Sequence, residues 1–310
     1  MNLLPFPNLP STLVSPEGVD ALAAVAGRFV SPVGILIECP LGEPAAAADL
    51  SLSFSRPANG GDVGIMSGGW PAGIAWERLS RFVDAWRDPA GLLWSDVRSL
   101  WLEFDLRRSE AAPLPNVFFG HSTGLRSRAT MHAGLDLLVD RDAAAARSLA
   151  SDRLGALPPG ANVLFVGVML ARRPSAIRFC VDGPPWQDAP DDLIRLARHS
   201  IVQVEAGTPG ANRVGYELYQ GLRSRGRADV WRPLLDRLVN LGAARADRCG
   251  AALEWPGYGY ENSTGPRVIT RWINHVKVTC EAGALIEAKV YLQFGTAWEP
   301  AASDAGGVIG

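Results

Sequence analysis

Polar and apolar residues alternate strictly in two neighbouring stretches near the end of the chain, residues 274–280 and 287–294. An alternation with a period of two predicts β-strands with one apolar and one polar face. The short turn at residues 281–283 makes the two strands a hairpin. The polar face of this hairpin carries His275, Lys277, Thr279, Glu287, Lys289, Tyr291 and Gln293.

The same pairing of two strands occurs five times along the chain, with amphipathic helical stretches between the pairs. The other four pairs are predicted at residues 34–39 with 49–55, 99–106 with 116–120, 163–170 with 176–181, and 201–205 with 213–220. Helices are predicted at residues 16–29, 73–86, 132–154 (in two pieces), 190–199 and 229–249. The pattern indicates an α+β protein built from five α-β-β units of about 60 residues each.

Ten antiparallel strands joined as hairpins can close into a β-barrel with the helices on the outside, so that the polar faces line a lumen. The alternative is an open or split antiparallel sheet with one face in water. We favour the barrel because the polar faces repeatedly carry aromatic and charged side chains. It is expected to form one domain over residues 1–299, with residues 300–310 as a flexible C-terminal tail.

Composition excludes several classes of protein. The formal net charge of −2 gives no support for binding to nucleic acid or an anionic membrane. No apolar run approaches the roughly 20 residues that span a bilayer, and residues 1–7 do not have the pattern of a signal peptide. The four scattered cysteines favour a reduced, cytoplasmic setting. The richness in Ala, Arg and Gly is typical of a high-GC bacterial genome.

Five α-β-β units in 310 residues, with a lumen lined by Lys, Arg and Tyr, resemble the aromatic and peptide prenyltransferases of the ABBA (PT-barrel) type. The segments 289–291 (KVY) and 49–55 (DLSLSFS) are similar in character to the last and second strands of soluble bacterial members. The resemblance implies an enzyme of secondary metabolism that moves a prenyl group from its diphosphate, the co-substrate, to an aromatic or peptide acceptor. The alternative is a non-prenylating barrel that binds a peptide or hydrophobic metabolite in a natural-product pathway.

For the site residues, the resemblance implies that basic side chains hold the diphosphate while aromatic rings shield the allylic cation. The candidate substrate-binding residues are Lys277, Lys289, Tyr291, Arg178, Arg213, Tyr219, Trp101 and His275. The alternative interpretation is a solvated sheet face on which these residues form cross-strand ion pairs, with Glu217 or Glu287 as partners.

Acidic residues also fall on the predicted lumen face. Glu103, beside Trp101, is the candidate base that takes the proton from the acceptor. The full acidic set is Asp49, Glu103, Asp105, Glu205, Glu217 and Glu287. Because these acids outnumber the basic residues, a diphosphate site requires the two kinds of charge to lie at opposite ends of the lumen.

No metal site is predicted, since the four histidines have no ligand spacing and no H-E-x-x-H or D-D-x-x-D run occurs. Magnesium stays possible, because the resemblance places Asp49 or Ser51 near a magnesium ligand of some barrel members. The Gly257–Tyr260 segment is predicted to be a loop that could cover the mouth of the barrel. The sequence leaves the oligomeric state open.

Overall fold

The computed structural model describes residue 6 and residues 9–30, 32–44, 48–56, 65–66, 69–106, 113–125, 127–139, 143–171, 176–183, 190–206, 213–221, 227–261 and 267–298. Within these ranges the chain forms eight helices and eleven strands. The helices are α1 (Pro16–Ala26), α2 (Ile74–Arg87), α3 (Leu92–Asp96), α4 (Arg128–Val139), α5 (Ala143–Gly155), α6 (Asp191–Ile194), α7 (Arg232–Asn240) and α8 (Ala246–Glu254). The strands are β1 (Gly34–Pro40), β2 (Asp49–Ser55), β3 (Ser99–Phe104), β4 (Pro115–Gly120), β5 (Asn162–Val168), β6 (Ile177–Asp182), β7 (His199–Ala206), β8 (Arg213–Tyr219), β9 (Gly257–Glu261), β10 (Arg267–Glu281) and β11 (Ala284–Trp298).

Ten of these strands close into an antiparallel barrel, as the alternation of polar and apolar residues predicts. Strands β1 to β8 pair in sequence order, β8 pairs with β10, β10 with β11, and β11 with β1. The closing register places Ile35 opposite Phe294 and Glu38 opposite Tyr291. The α+β fold with a ten-stranded antiparallel barrel is therefore confirmed.

The two faces of the barrel strands have different surroundings. Apolar side chains on one face pack with the apolar residues of the helices into one continuous core. Helix α4 comes close to β4, because Gly134 leaves room for the ring of Phe119, which also packs against Phe82 at 5.1 Å between ring centroids. Side chains on the other face line two cavities inside the barrel. The helices therefore lie outside and the lumen lies inside.

A buried arginine ties the start of the chain to the barrel. Arg248 on α8 is 1% exposed and donates to the carbonyl oxygens of Thr12 (2.8 Å), Leu13 (3.0 Å) and Pro40 (2.7 Å). Charged donors to buried carbonyls form strong hydrogen bonds. The contact holds α8, the end of β1 and the segment before α1 together.

Several elements differ from the prediction. Residues 190–199 were expected to be one helix, but α6 ends at Ile194 and β7 begins at His199. The stretch after Asp229 forms two helices, α7 and α8, because the chain turns at Gly242 with a φ of 71°. Helix α3 follows α2 and was not predicted.

The expected loop at residues 257–260 was also wrong, because these residues belong to strand β9. This strand pairs with the first part of β10, so that Gly257 lies opposite Arg271 and Gly259 opposite Ile269. It is an eleventh strand beyond the closed ten. The predicted tail at residues 300–310 lies outside the described residues, and the single domain over residues 1–299 stays a prediction.

Candidate functional site

The lumen consists of two chambers that follow one another along the barrel axis. One has a volume of about 420 Å³ and is lined mainly by charged side chains, while the other, of about 360 Å³, is lined mainly by aromatic and apolar side chains. We call them the charged chamber and the aromatic chamber. Glu103 on β3 and Gln203 on β7 line both. The strands explain this arrangement, because residues two positions apart on one strand face the same lumen at successive levels.

All nine predicted site residues line the lumen. Arg178, Arg213, Lys277 and Lys289 line the charged chamber, Trp101, Tyr219, His275 and Tyr291 line the aromatic chamber, and Glu103 lies at their junction. Their roles in binding or catalysis stay a prediction.

The predicted acids do not segregate from the bases. Asp105, Glu205 and Glu287 line the charged chamber together with the basic residues, and Glu217 lines the aromatic chamber. Asp49 is buried and lines neither chamber. The charged chamber is therefore a mixture of acids and bases, and not a purely basic cup.

Most charges in this chamber neutralise one another through direct contacts. Arg178 donates to Glu205 at 2.7 Å, because these residues lie directly opposite each other on β6 and β7. Arg213 lies 3.4 Å from Glu287 at the more exposed end. Such pairs limit the positive field that the chamber presents to an anion.

Glu38 on β1 is a site residue that the sequence did not predict. It is 2% exposed and accepts hydrogen bonds from the Lys289 ammonium (2.5 Å) and the Tyr291 hydroxyl. Burial opposes ionisation of Glu38, but the charges of Lys289 and Lys277 and the two hydrogen bonds outweigh it and hold its pKa at about 2. Glu38 is thus a buried carboxylate that holds Lys289 and Tyr291 in place.

Lys277 and Glu103 differ from the other charged groups. Lys277 is 8% exposed and makes no hydrogen bond or ion pair with any residue in the described ranges. Burial, together with the charges of Arg178 and Lys289, lowers its pKa. Burial and the nearby charge of Glu38 raise the pKa of Glu103. Both groups are therefore closer to neutrality than an exposed lysine or glutamate.

A row of three rings forms one wall of the aromatic chamber. His275 stacks on Tyr291 with 3.9 Å between ring centroids, and Tyr219 lies on its other side at 4.9 Å. Burial is the main reason that the pKa of His275 is lowered to about 4, so that the ring is uncharged at neutral pH. The rings come from β8, β10 and β11, which are adjacent in the barrel.

The imidazole is oriented by two amides. The Asn274 amide donates to Gln293 Oε1 at 2.5 Å, which leaves Asn274 Oδ1 to accept from His275 Nδ1 at 2.7 Å. A β-bulge between Ile273 and His275 allows the consecutive residues Asn274 and His275 to line the same chamber. The opposite wall carries Trp101, Phe118 and Phe165.

No three His, Cys, Asp or Glu side chains in the described ranges come together as a metal site would require. Among the helices of those ranges, none is both long and apolar enough to cross a membrane.

Comparisons with known proteins give similarity to solved structures only. No protein-family model matches the chain, and no curated protein matches it. Among solved structures, the crystal structure of AnaPT from Neosartorya fischeri is similar, with 11% identity, a TM-score of 0.41, and coverage of 85% of this chain and 78% of that chain. This level of similarity carries no information about ligand or chemistry. The resemblance to the ABBA barrel is confirmed for the architecture, which the strand pairing of this chain establishes.

Proposed function

We propose that the protein is a prenyltransferase that moves an allylic prenyl group from its diphosphate to an aromatic or peptide acceptor in secondary metabolism. One observation carries this proposal: the charged chamber adjoins the aromatic chamber, and Glu103 and Gln203 line both. A prenyl diphosphate has the same division into a charged head and an apolar tail.

In this proposal the two chambers perform different parts of the reaction. Lys277, Lys289 and Arg178 stabilise the charge that develops on the diphosphate as it leaves. Tyr291 and Tyr219 flank the allylic cation and exclude water from it. Glu103 takes the proton from the acceptor after the new bond has formed, and its raised pKa suits a base that works near neutral pH.

Isothermal titration with geranyl thiodiphosphate, a non-reacting analogue, tests the proposal without knowledge of the acceptor. Lys277→Ala and Lys289→Ala should each weaken binding by about 1–3 kcal/mol, the range for loss of a charge-assisted hydrogen bond. Glu103→Gln should leave the affinity nearly unchanged, because the acid acts on the acceptor. Arg195→Ala is the control, since this side chain lies outside the lumen and is 79% exposed.

A second candidate function is favoured by the charge balance of the chamber. Arg178, Arg213 and Lys289 already contact acids, so a diphosphate would have to displace these partners. A peptide or polar metabolite that carries charges of both signs would fit such a chamber without breaking every pair. In this alternative the barrel binds a ligand in a natural-product pathway and transfers no prenyl group. Absence of saturable binding of the analogue at millimolar concentration, with and without magnesium, would favour this alternative and reject prenyl transfer.

A further inference from the structure

Lysine is almost absent from this chain. Of its 30 basic residues, 28 are arginine, and the only two lysines are Lys277 and Lys289. Both line the charged chamber. An arginine provides a permanent positive charge, whereas a lysine can lose its proton and act as a nucleophile. The restriction of lysine to the lumen indicates that the ligand in the lumen interacts with a primary amine.

The two lysines have different surroundings. Lys289 is held between two carboxylates, at 2.5 Å from Glu38 and 3.2 Å from Glu287. Nine ionisable side chains of the described ranges line the charged chamber, and six of them are held by a hydrogen bond or an ion pair. Asp105 also has an interaction partner, whereas Lys277 and Glu103 make no hydrogen bond or ion pair within those ranges.

Lys277 is placed as a nucleophilic amine would be. Its Cε passes over Gly215 on β8, where a Cβ would lie only 3.2 Å away, so that the glycine leaves room for the lysine side chain. Four charged groups act on its ammonium: Arg178 and Lys289 disfavour the charged form, while Glu38 and Glu103 favour it. Burial adds to the effect of the two cations, and the net effect lowers the pKa. Desolvation next to other cations is a known way to activate a lysine.

Glu103 provides the carboxyl group that can act as a proton donor for such an amine. It lines the same chamber from β3, and the charges of Glu103 and Lys277 influence each other. Its raised pKa, which burial and the charge of Glu38 cause, keeps a larger share of its carboxyl group protonated near neutral pH. A protonated carboxyl group can donate its proton to a leaving hydroxyl group.

We propose that Lys277 condenses with the carbonyl group of an aldehyde or ketone ligand to form an imine in the lumen. The uncharged Nζ adds to the carbonyl carbon, and a proton moves from nitrogen to oxygen to give a carbinolamine. Glu103 then donates its proton to the hydroxyl group, which leaves as water while the nitrogen lone pair forms the C=N bond. The product is a protonated imine paired with the Glu103 carboxylate. This chemistry needs no prenyl diphosphate and does not depend on the function proposed above.

Reductive trapping tests the proposal on the full chain. The protein is incubated with benzaldehyde and sodium cyanoborohydride at neutral pH, and the benzylated residue is located by peptide mass spectrometry. We expect benzylation of Lys277 at least ~10-fold faster than of Lys289, because Lys277 has a lowered pKa and no ion pair, whereas the Lys289 amine contacts Glu38 and Glu287. Equal benzylation of the two lysines, or none at Lys277, would overturn the proposal.

Three variants sharpen the result. Lys277→Arg retains the positive charge but cannot form an imine, so it should abolish the fast labelling and leave only the slow labelling of Lys289. Lys289→Arg is the matched control and should leave Lys277 labelled. Glu103→Gln should slow the labelling by about 100-fold or more, as expected for loss of a general acid, and an unchanged rate would reject Glu103 as the proton donor. If Lys277→Arg does not fold, the labelling rates of Lys277 and Lys289 in the wild-type protein still test the proposal.

Discussion

Replacement of Glu38 by glutamine should destabilise the protein by an amount that can be calculated from its surroundings. Glutamine has nearly the same volume but removes the charge that Lys289 and Tyr291 contact. The pKa of Glu38 falls from 4.5 to about 2 on folding. At about 1.4 kcal/mol per pKa unit, this lowering corresponds to roughly 3 kcal/mol of stability at pH 7. The expected loss is therefore about 3 kcal/mol in the free energy of unfolding, measured by urea denaturation.

The pH dependence of the stability loss in Glu38→Gln distinguishes a loss of charge from a simple packing defect. Because folding lowers the pKa of Glu38, its stabilisation is fully present above pH 4.5 and is lost as the pH falls through about 2. The difference in the free energy of unfolding between wild type and Glu38→Gln should shrink to about 1 kcal/mol at pH 3. A gap that is below about 0.5 kcal/mol at pH 7, or that stays constant between pH 7 and pH 3, would refute the reasoning.

Glu287→Gln is the matched control for this experiment. Its carboxylate contacts the same lysine at 3.2 Å, but its side chain is 25% exposed, compared with 2% for Glu38. Ion pairs that water can reach contribute less than about 1 kcal/mol. The control should therefore cost much less than Glu38→Gln, although both variants remove one carboxylate from Lys289.

Three further outcomes are expected. Arg248→Met should lower the free energy of unfolding by about 3–5 kcal/mol in urea denaturation, because two buried carbonyls and one partly buried carbonyl lose a charged donor. Gly134→Ala should destabilise the protein by about 1–3 kcal/mol, because the new Cβ would collide with the Phe119 ring. Gly250→Ala should stabilise the protein by up to about 1 kcal/mol, because no atom lies within 4 Å of the new Cβ. A lower thermal unfolding temperature for Gly250→Ala than for Gly134→Ala would contradict this expectation. The ¹⁵N shifts of the His275 ring should stay those of a neutral imidazole near neutral pH and change with a midpoint at about pH 4. A midpoint near 6.5 would show that the ring is not buried as described.

The period-two alternation of polar residues was sufficient to predict most of the barrel. Lys277, Lys289 and Tyr291 alternate with buried apolar residues, so their common face could be assigned from the sequence. The same alternation located Glu103 and Trp101 on β3. A strand between a core and a polar lumen has one apolar and one polar face, and this difference appears in the sequence as a period-two alternation.

The aromatic chamber could not be predicted in the same way. Phe118 and Phe165 lie in runs of apolar residues, so nothing in the local pattern shows which face each ring occupies. Glu38 follows the apolar run Ile35–Ile37, and only the pairing of β1 with β11 places it opposite Tyr291. The bulge before His275 shifts the register without a marker in the sequence. These features depend on contacts between residues far apart in the chain.

The mixture of acids and bases in the lumen has a physical reason. Four basic side chains converge there, and Lys277 lies directly opposite Lys289 on the neighbouring strand, an arrangement that destabilises a sheet. In a lumen that is partly shielded from water, such repulsion needs counterions, and the carboxylates of Glu38 and Glu287 supply them to Lys289. An anionic ligand must therefore compete with carboxylates of the protein for every paired cation. Lys277 requires no such exchange, which makes it the basic group most available to a ligand, whether it binds that ligand by charge or by a covalent bond.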